Sequence, residues 1–336
     1  VRFGKGVPIY SNGSFARLTI GARLIPDLRN FFDREKFDVV HLHSPLTPTL
    51  PFLALRNSNA LVTVGTFHTY FDQSRAYRLF KDFIHSHMDR MDGRIVVSDA
   101  CVEALSRYFD ADYEVIPNGV DPSYFDPAAP KLPEFDDGKL NILFVGRFDP
   151  RNGLKTMIQA FKLVKREFDN CRLIIVGDGP LKPYYRSLIG RDLMADVHFA
   201  GLQNGGRPGY YATADIFCTP CTKASFGVVL LEAMASATPI VASDINGYRL
   251  VMRDGEQGRL VAGQQPEAFA GALLELLRDP SRRRQMGEAG RRLVLDNFSW
   301  SHIAARVERY YLKLLGLEET AAATPPVHEK VPVLND

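Results

Sequence analysis

Short apolar runs rich in β-branched residues recur along this chain, and longer stretches with apolar positions three and four apart separate them. In the first half the pattern predicts strands at Asp38–His43, Leu61–Thr66, Arg94–Ser98 and Glu114–Ile116. In the second half it predicts strands at Asn141–Val145, Arg172–Val176, Val197–Ala200, Ile216–Thr219, Pro239–Ala242 and the brief Arg259–Val261. Most of these runs are nearly continuously apolar, as strands covered on both faces must be. Helical periodicity fills Ala22–Lys36, Leu154–Phe168, Asp279–Asp296 and Trp300–Leu315, the last with Ile303, Val307, Tyr310, Tyr311 and Leu314 on one stripe. Alternating strands and helices imply open parallel α/β sheets.

A Pro- and Asp-rich stretch from Asp121 to Lys139 breaks the alternation and reads as a linker. The division is a first domain over 1–125, a linker over 126–139, a second domain over 140–298, a closing helix over 299–316 and a disordered tail over 317–336. Ligands of such sheets bind beyond the carboxyl ends of the strands. That rule selects His43-Ser44, Gly65–Thr69, Ser98, Asn118-Gly119, Gly146–Gly153, Gly177–Gly179 and Ala224–Gly227.

The most informative stretch is Cys221–Ala235, a small polar loop that runs through Ser225, Phe226 and Gly227 into an apolar segment carrying Glu232. The pattern predicts a helix starting near Ser225, whose unpaired N–H groups and partial positive charge suit a diphosphate. Glu232 then lies about two turns on, with Ser225 and Glu232 on one face. The same pattern also suits an amphipathic helix with one buried Glu. Gly146 and Arg147 follow a strand, so the backbone there can approach a phosphate and the guanidinium can make paired bonds to it. Arg147 equally suits a surface ion pair. His68 closes a first-half strand and is expected to project into the cleft, though a lone His equally suits a structural place, whereas His41 and His43 alternate on a strand and read as packing residues.

Composition narrows the picture. The 336 residues suit two domains, and 46% hydrophobic with 24% charged residues is ordinary for a globular protein. A formal charge of +2 with no dense basic stripe excludes nucleic acid as the main partner. The four cysteines are too few for a disulfide scaffold. Cys218 and Cys221 have CxxC spacing, but no second Cys or His pair stands at zinc spacing, so no metal site is read. Neither a secretory signal nor an apolar run of about eighteen residues is visible, so a cytoplasmic protein is expected. Helix Ala22–Lys36 carries Arg23, Arg29, Arg34 and Lys36, nearly cancelled by Asp27, Asp33 and Glu35, which makes a solvated face the simpler reading than a lipid contact.

In order, Val7-Pro8-Ile9, Asn12-Gly13-Ser14, Arg17, Gly65–Thr69, Val97-Ser98-Asp99, Ile116–Asp121 and Ser225-Phe226-Gly227 resemble the retaining GT-B glycosyltransferases of family four. Within it the closest likeness is to the bacterial phosphatidylinositol mannosyltransferases. The resemblance implies two Rossmann-like domains and a nucleotide-diphosphate sugar, GDP-mannose, held mainly by the second. It implies that Arg147 meets the diphosphate, with Gly146, Arg151 and Asn152 on the same loop. The amides near Phe226, Gly227 and Val228 hold its oxygens or the ribose, Ser225 opens that loop, and Glu232 takes the ribose hydroxyls. His68 lies beside the transferred sugar, and Asn12, Ser14 and Arg17 face a lipid or polyol acceptor such as phosphatidylinositol. The departing phosphate assists proton removal, so no metal or other cofactor is required. A peripheral contact with the inner membrane surface and a closing helix that crosses back onto the first domain also follow.

Four departures from the family pattern stand out. Asn152 occupies a position that usually holds Lys, and Ala224 one that usually holds Glu. Gly205 stands where close relatives carry an acidic residue, which leaves GDP against UDP open. The family's first strand and helix are expected to fall upstream of Val1, so the first domain is expected to lack them and to expose unpaired sheet edges. Asn152 and Ala224 keep a second reading in play: a relative that binds nucleotide sugar or a partner enzyme without turnover.

Overall fold

The computed structural model describes residues 1, 3–4, 7–11, 14–19, 22–47, 49–68, 81–203 and 205–317. Two parallel sheets carry the fold, as the alternating pattern requires. The first runs β3 (Val39–His43), β4 (Val62–Phe67), β5 (Gly93–Val96) and β6 (Glu114–Val115) in chain order. A hairpin that the sequence pattern missed, β1 (Val7–Ser11) and β2 (Ser14–Leu18), precedes it and pairs Val7 with Leu18. Helices α1 (Ile25–Glu35), α2 (Leu50–Asn57), α3 (Lys81–Met88) and α4 (Asp99–Ser106) complete the first domain. The basic and acidic residues of the predicted Ala22–Lys36 helix fall on a 3-10 turn (Ala22–Leu24), on α1, whose buried residues are Leu28 and Phe32, and, for Lys36, at the cap that ends α1. β3 stands at the sheet edge among the described residues, and an apolar cleft of about 420 Å³ lined by Phe31, Phe32, Val39 and Leu50 runs beside it.

The second sheet has the order β12-β11-β10-β7-β8-β9, all parallel: β7 (Leu140–Val145), β8 (Cys171–Val176), β9 (Val197–Gly201), β10 (Ile216–Thr219), β11 (Ile240–Ser243) and β12 (Gly258–Val261). The chain winds outward from β7 to β9, then returns to place β10 on the other side of β7. The order therefore reverses between β7 and β10, and connecting loops part there to leave a crevice. Helix α5 (Leu154–Glu167) buries Leu154, Met157, Ile158, Phe161 and Val164, the spacing of one helical face. The remaining helices are α6 (Lys182–Ser187), α7 (Arg207–Thr213), α8 (Val228–Ala235), α9 (Asn246–Arg249), α10 (Pro266–Arg278) and α11 (Pro280–Asn297).

The last helix, α12 (Trp300–Leu314), leaves the second domain and packs on the first. Ile303 joins Val62, Val64, Ile95 and Ile116, with Val307, Tyr310, Tyr311 and Leu314 against them. The stripe read from the sequence is thus the contact face. The helix is pinned by polar bonds too: Arg306 donates to the Val115 carbonyl (2.6 Å) and Tyr310 Oη accepts from the Arg94 amide (3.2 Å).

The stretch expected to be a plain linker is bolted down. Phe125 and Phe135 are buried, and Arg291 of α11 donates to the carbonyls of Pro122 and Phe125 (both 2.9 Å) and of Ala235 while pairing with Asp126 (2.7 Å). Pro and Asp gave the stretch its irregular backbone, but the aromatic residues between them anchor it. Arg291→Met keeps the volume and removes the bonds. It is expected to lower stability by about 1.5–3 kcal/mol, read as a lower urea midpoint with an unchanged slope.

Candidate active site

At the reversal point, two loops of the second domain are zipped together. The loop after β7 carries Gly146, Arg147, Asp149, Arg151 and Asn152; the loop after β10 carries Cys221, Thr222, Ala224 and Ser225. Thr222 donates its amide to the Arg151 carbonyl (2.8 Å). Gly153, at φ 77°, passes so close to the second loop that a Cβ would lie 1.8 Å from the Pro220 carbonyl oxygen. Arg147 is half-exposed, and its Nε lies 3.5 Å from Oδ2 of the buried Asp149. Its backbone carbonyl accepts from Asn152 Nδ2 (2.7 Å), so that amide braces the loop. Phe148 anchors it from beneath against Tyr185 and Phe199.

The helix beyond the second loop starts at Val228, three residues later than the sequence predicts. The reason is Gly227, which caps it in the left-handed region at φ 113° with the Tyr248 ring 2.8 Å from where a Cβ would sit. Ser225 therefore precedes the helix and does not share a helical face with Glu232. The first-turn amides are those of Val228 and its followers, and Val228 itself is exposed at 41%. Phe226 is buried against Phe298.

Glu232 is 3% exposed, so it does not stand open to incoming hydroxyls. Arg207 lies 2.8 Å from its Oε1, and Tyr211 Oη donates to its Oε2 (2.8 Å). Burial lifts its pKa above the usual carboxylate range, with Arg207 and Tyr211 drawing it back. The sequence reading missed both partners. A buried carboxylate demands a cation, but nothing local to Glu232 says that Arg207, at the start of α7, supplies it.

Facing these loops is the carboxyl end of the first sheet. Ser98 caps α4 and donates its hydroxyl to the Ser225 carbonyl (3.2 Å), so the two sheets present strand ends to each other. His68 follows β4 there and is partly buried. His41 and His43 are not inert packing. His43 is exposed, with Nδ1 2.7 Å from His68 Nε2, and His41 bonds Thr66 Oγ1 (2.6 Å) and Tyr311 Oη of α12. Burial, then the charge of neighbouring imidazoles, pulls the pKa of both His41 and His68 down to about 4. An unfolded chain binds those protons near 6.5. Between pH 6.5 and 4 it holds protons that the folded chain refuses, so stability present above that window falls as pH drops through it. Urea midpoints taken from pH 7 down to pH 4.5 are expected to fall, and His41→Asn is expected to flatten that fall.

Asn12 lies outside the described residues. Ser14 and Arg17 sit on β2, opposite Ser11 and Pro8. Gly177 and Gly179 close the turn after β8 that abuts Gly146 and Phe148. Cys218 and Cys221 are buried free thiols whose pKa burial raises, and among the described residues no group of His, Cys, Asp and Glu is arranged to hold a metal. No described helix is long and apolar enough to cross a membrane.

Comparison with known proteins agrees with this architecture. Residues 2–124 match the family described as "Glycosyltransferase Family 4" and residues 127–293 that described as "Glycosyl transferases group 1". A phosphatidyl-myo-inositol mannosyltransferase of Mycobacterium leprae is 36% identical over 314 residues, covering 93% of this chain and 83% of the relative. A D-inositol 3-phosphate glycosyltransferase of Corynebacterium glutamicum is 31% identical, covering 88% of this chain and 77% of the relative. Among solved structures, a glycosyltransferase from Rickettsia africae shares the fold at a TM-score of 0.76 with 21% identity, covering 92% of this chain and 85% of that one. A sucrose-phosphate synthase from Thermosynechococcus elongatus gives 0.72 with 25% identity, over 93% and 86% of the two chains. Two parallel α/β domains meeting strand end to strand end, bridged by a returning helix and matched along nearly their whole length, place this chain in the GT-B glycosyltransferases of family four, close to the phosphatidyl-myo-inositol mannosyltransferases.

Proposed function

We propose that this chain moves a mannosyl group from GDP-mannose to the inositol of a phosphatidylinositol-type lipid, with retention of configuration. One observation carries the donor site: at the reversal of strand order, the loop after β7 that holds Arg147 is zipped to the loop after β10 that leads into α8. A diphosphate leaving group gains negative charge as the sugar departs. A guanidinium fork and aligned amides stabilise that charge without moving, which is what lowers the barrier. The reading asks for no metal or protein nucleophile: the departing phosphate takes the acceptor's proton on the face it leaves, and the site's work is positioning. Glu232, buried and held by Arg207 and Tyr211, ties α8 to α7 and keeps the opening turn of α8 in place. His68 is assigned to the sugar, and Asn12, Ser14 and Arg17 to the acceptor. The names of the curated relatives support an inositol-bearing acceptor, and a lipid acceptor calls for work at the cytoplasmic face of a membrane.

A second reading, donor binding without turnover, is favoured by Asn152. Its amide is committed to the Arg147 carbonyl and brings no cation to the diphosphate loop. Incubation with GDP-mannose, UDP-glucose or UDP-N-acetylglucosamine and phosphatidylinositol vesicles separates the two. Transfer predicts GDP release with a lipid heavier by one hexose, from GDP-mannose alone. Tight binding of a nucleotide sugar with neither hydrolysis nor a heavier lipid would support the second.

A further inference from the structure

Three imidazoles form a continuous stack from α12 to the end of β4. His41 and His43 lie at a centroid distance of 4.8 Å and an angle of 24°, and His43 and His68 at 5.0 Å and 25°. The far end of the stack is fixed, because both nitrogens of His41 are occupied by Thr66 and Tyr311. The near end is a direct bond of 2.7 Å between His43 Nδ1 and His68 Nε2. Two neutral imidazole nitrogens at that distance share one proton, so one donates and the other accepts.

A neutral ring has one N–H. When His43 Nδ1–H is the donor, Nε2 of His68 is a lone pair and the N–H of His68 stands on Nδ1. The other groups bonded to the stack, Thr66 and Tyr311, carry no charge at neutral pH.

We propose that His43 is a positioning residue for His68: by donating Nδ1–H to Nε2, it fixes one tautomer and one ring plane at the edge of the cleft. The consequence is electrostatic as well as geometric. Positive charge develops on a sugar as its bond to the diphosphate breaks, and an imidazolium beside it would oppose that charge. A His68 locked as the neutral Nδ1–H form offers a hydrogen-bond donor without a full cation. This step rests on the reading that His68 flanks the transferred sugar.

The test uses the full chain with 15N-labelled histidine, together with the transfer assay. In the parent protein the His68 ring is expected to show a single Nδ1–H tautomer and to resist protonation down to about pH 5. His43→Phe keeps the stacked ring and removes the donor. It should give a mixture of tautomers, raise the pH at which His68 titrates, and lower kcat about 10–100-fold with donor KM nearly unchanged, by analogy with groups that orient a metal-bound imidazole. His43→Gln restores a donor and should recover much of both effects. An unaltered His68 tautomer in His43→Phe, or a changed tautomer with kcat intact, overturns the proposal; so does a His43→Gln protein no better than His43→Phe. The nitrogen spectra need no turnover. A parent protein that transfers nothing therefore counts against the proposed function, while the tautomer measurement still decides whether His43 fixes His68.

Discussion

Arg147→Ala is expected to cut sugar transfer roughly 10²–10³-fold while leaving the folded protein nearly as stable as its parent. The first half of this expectation comes from position. Arg147 stands on the loop after β7, beside the crevice where strand order reverses, and is half-exposed instead of sunk into the core. Its link to the buried Asp149 holds the guanidinium near one place, so little reorganisation is needed when a diphosphate arrives. The second half follows from the same exposure, since surface ion pairs contribute little to stability. Arg147→Lys separates charge from shape: it keeps the cation and loses the planar fork. Steady-state kinetics with a matched urea titration check both halves. The expected outcome is a large loss in kcat for Ala, a smaller one for Lys, and midpoints close to the parent's.

Asn152→Lys combined with Ala224→Glu is expected to raise turnover by up to roughly 10²–10³-fold, the scale of one restored transition-state stabiliser. Asn152 ends the 3-10 turn Pro150–Asn152, one residue before the close approach of Gly153 to Pro220, so a Lys there starts from between the two zipped loops. Ala224 lies in the second loop, and its carbonyl sits 2.1 Å from where a Cβ on Gly247 would be. The backbone at 224 is therefore firmly held, and a new carboxylate would be presented from a rigid base. The first change also removes the bond from Asn152 to the Arg147 carbonyl, a loss of about 1 kcal/mol that the assay reads as slightly lower stability. Neither single nor double variant gaining activity over the parent would show that these positions do not address the donor.

The parallel sheets were legible because strands buried on both faces leave continuous apolar runs, and each predicted run lies within two or three residues of its strand. The last helix was legible for the opposite reason: its apolar stripe is narrow, and it is the stripe that meets the first domain. Three features resisted reading. The start of α8 was placed at Ser225 because apolar residues begin there, whereas Gly227 takes a backbone angle that postpones the helix to Val228. The environment of Glu232 was hidden because Arg207 and Tyr211 come from α7, more than twenty residues earlier, and reach it only when α7 packs beside α8. His43 looked like a packing residue since alternation along β3 says which side a ring takes, not that the neighbouring strand ends in another His within bonding distance.

The central claim is that an activated sugar is gripped by its diphosphate between Arg147 and the opening turn of α8. A crystal structure of the full chain with GDP-mannose, or with GDP if the sugar is lost, measures this directly. Both phosphates are expected within hydrogen-bond reach of the Arg147 guanidinium and of the amides at Val228 and Val229, with the sugar end turned toward His68. Nucleotide bound away from those two loops, or bound there with the sugar turned away from the first domain, would contradict it.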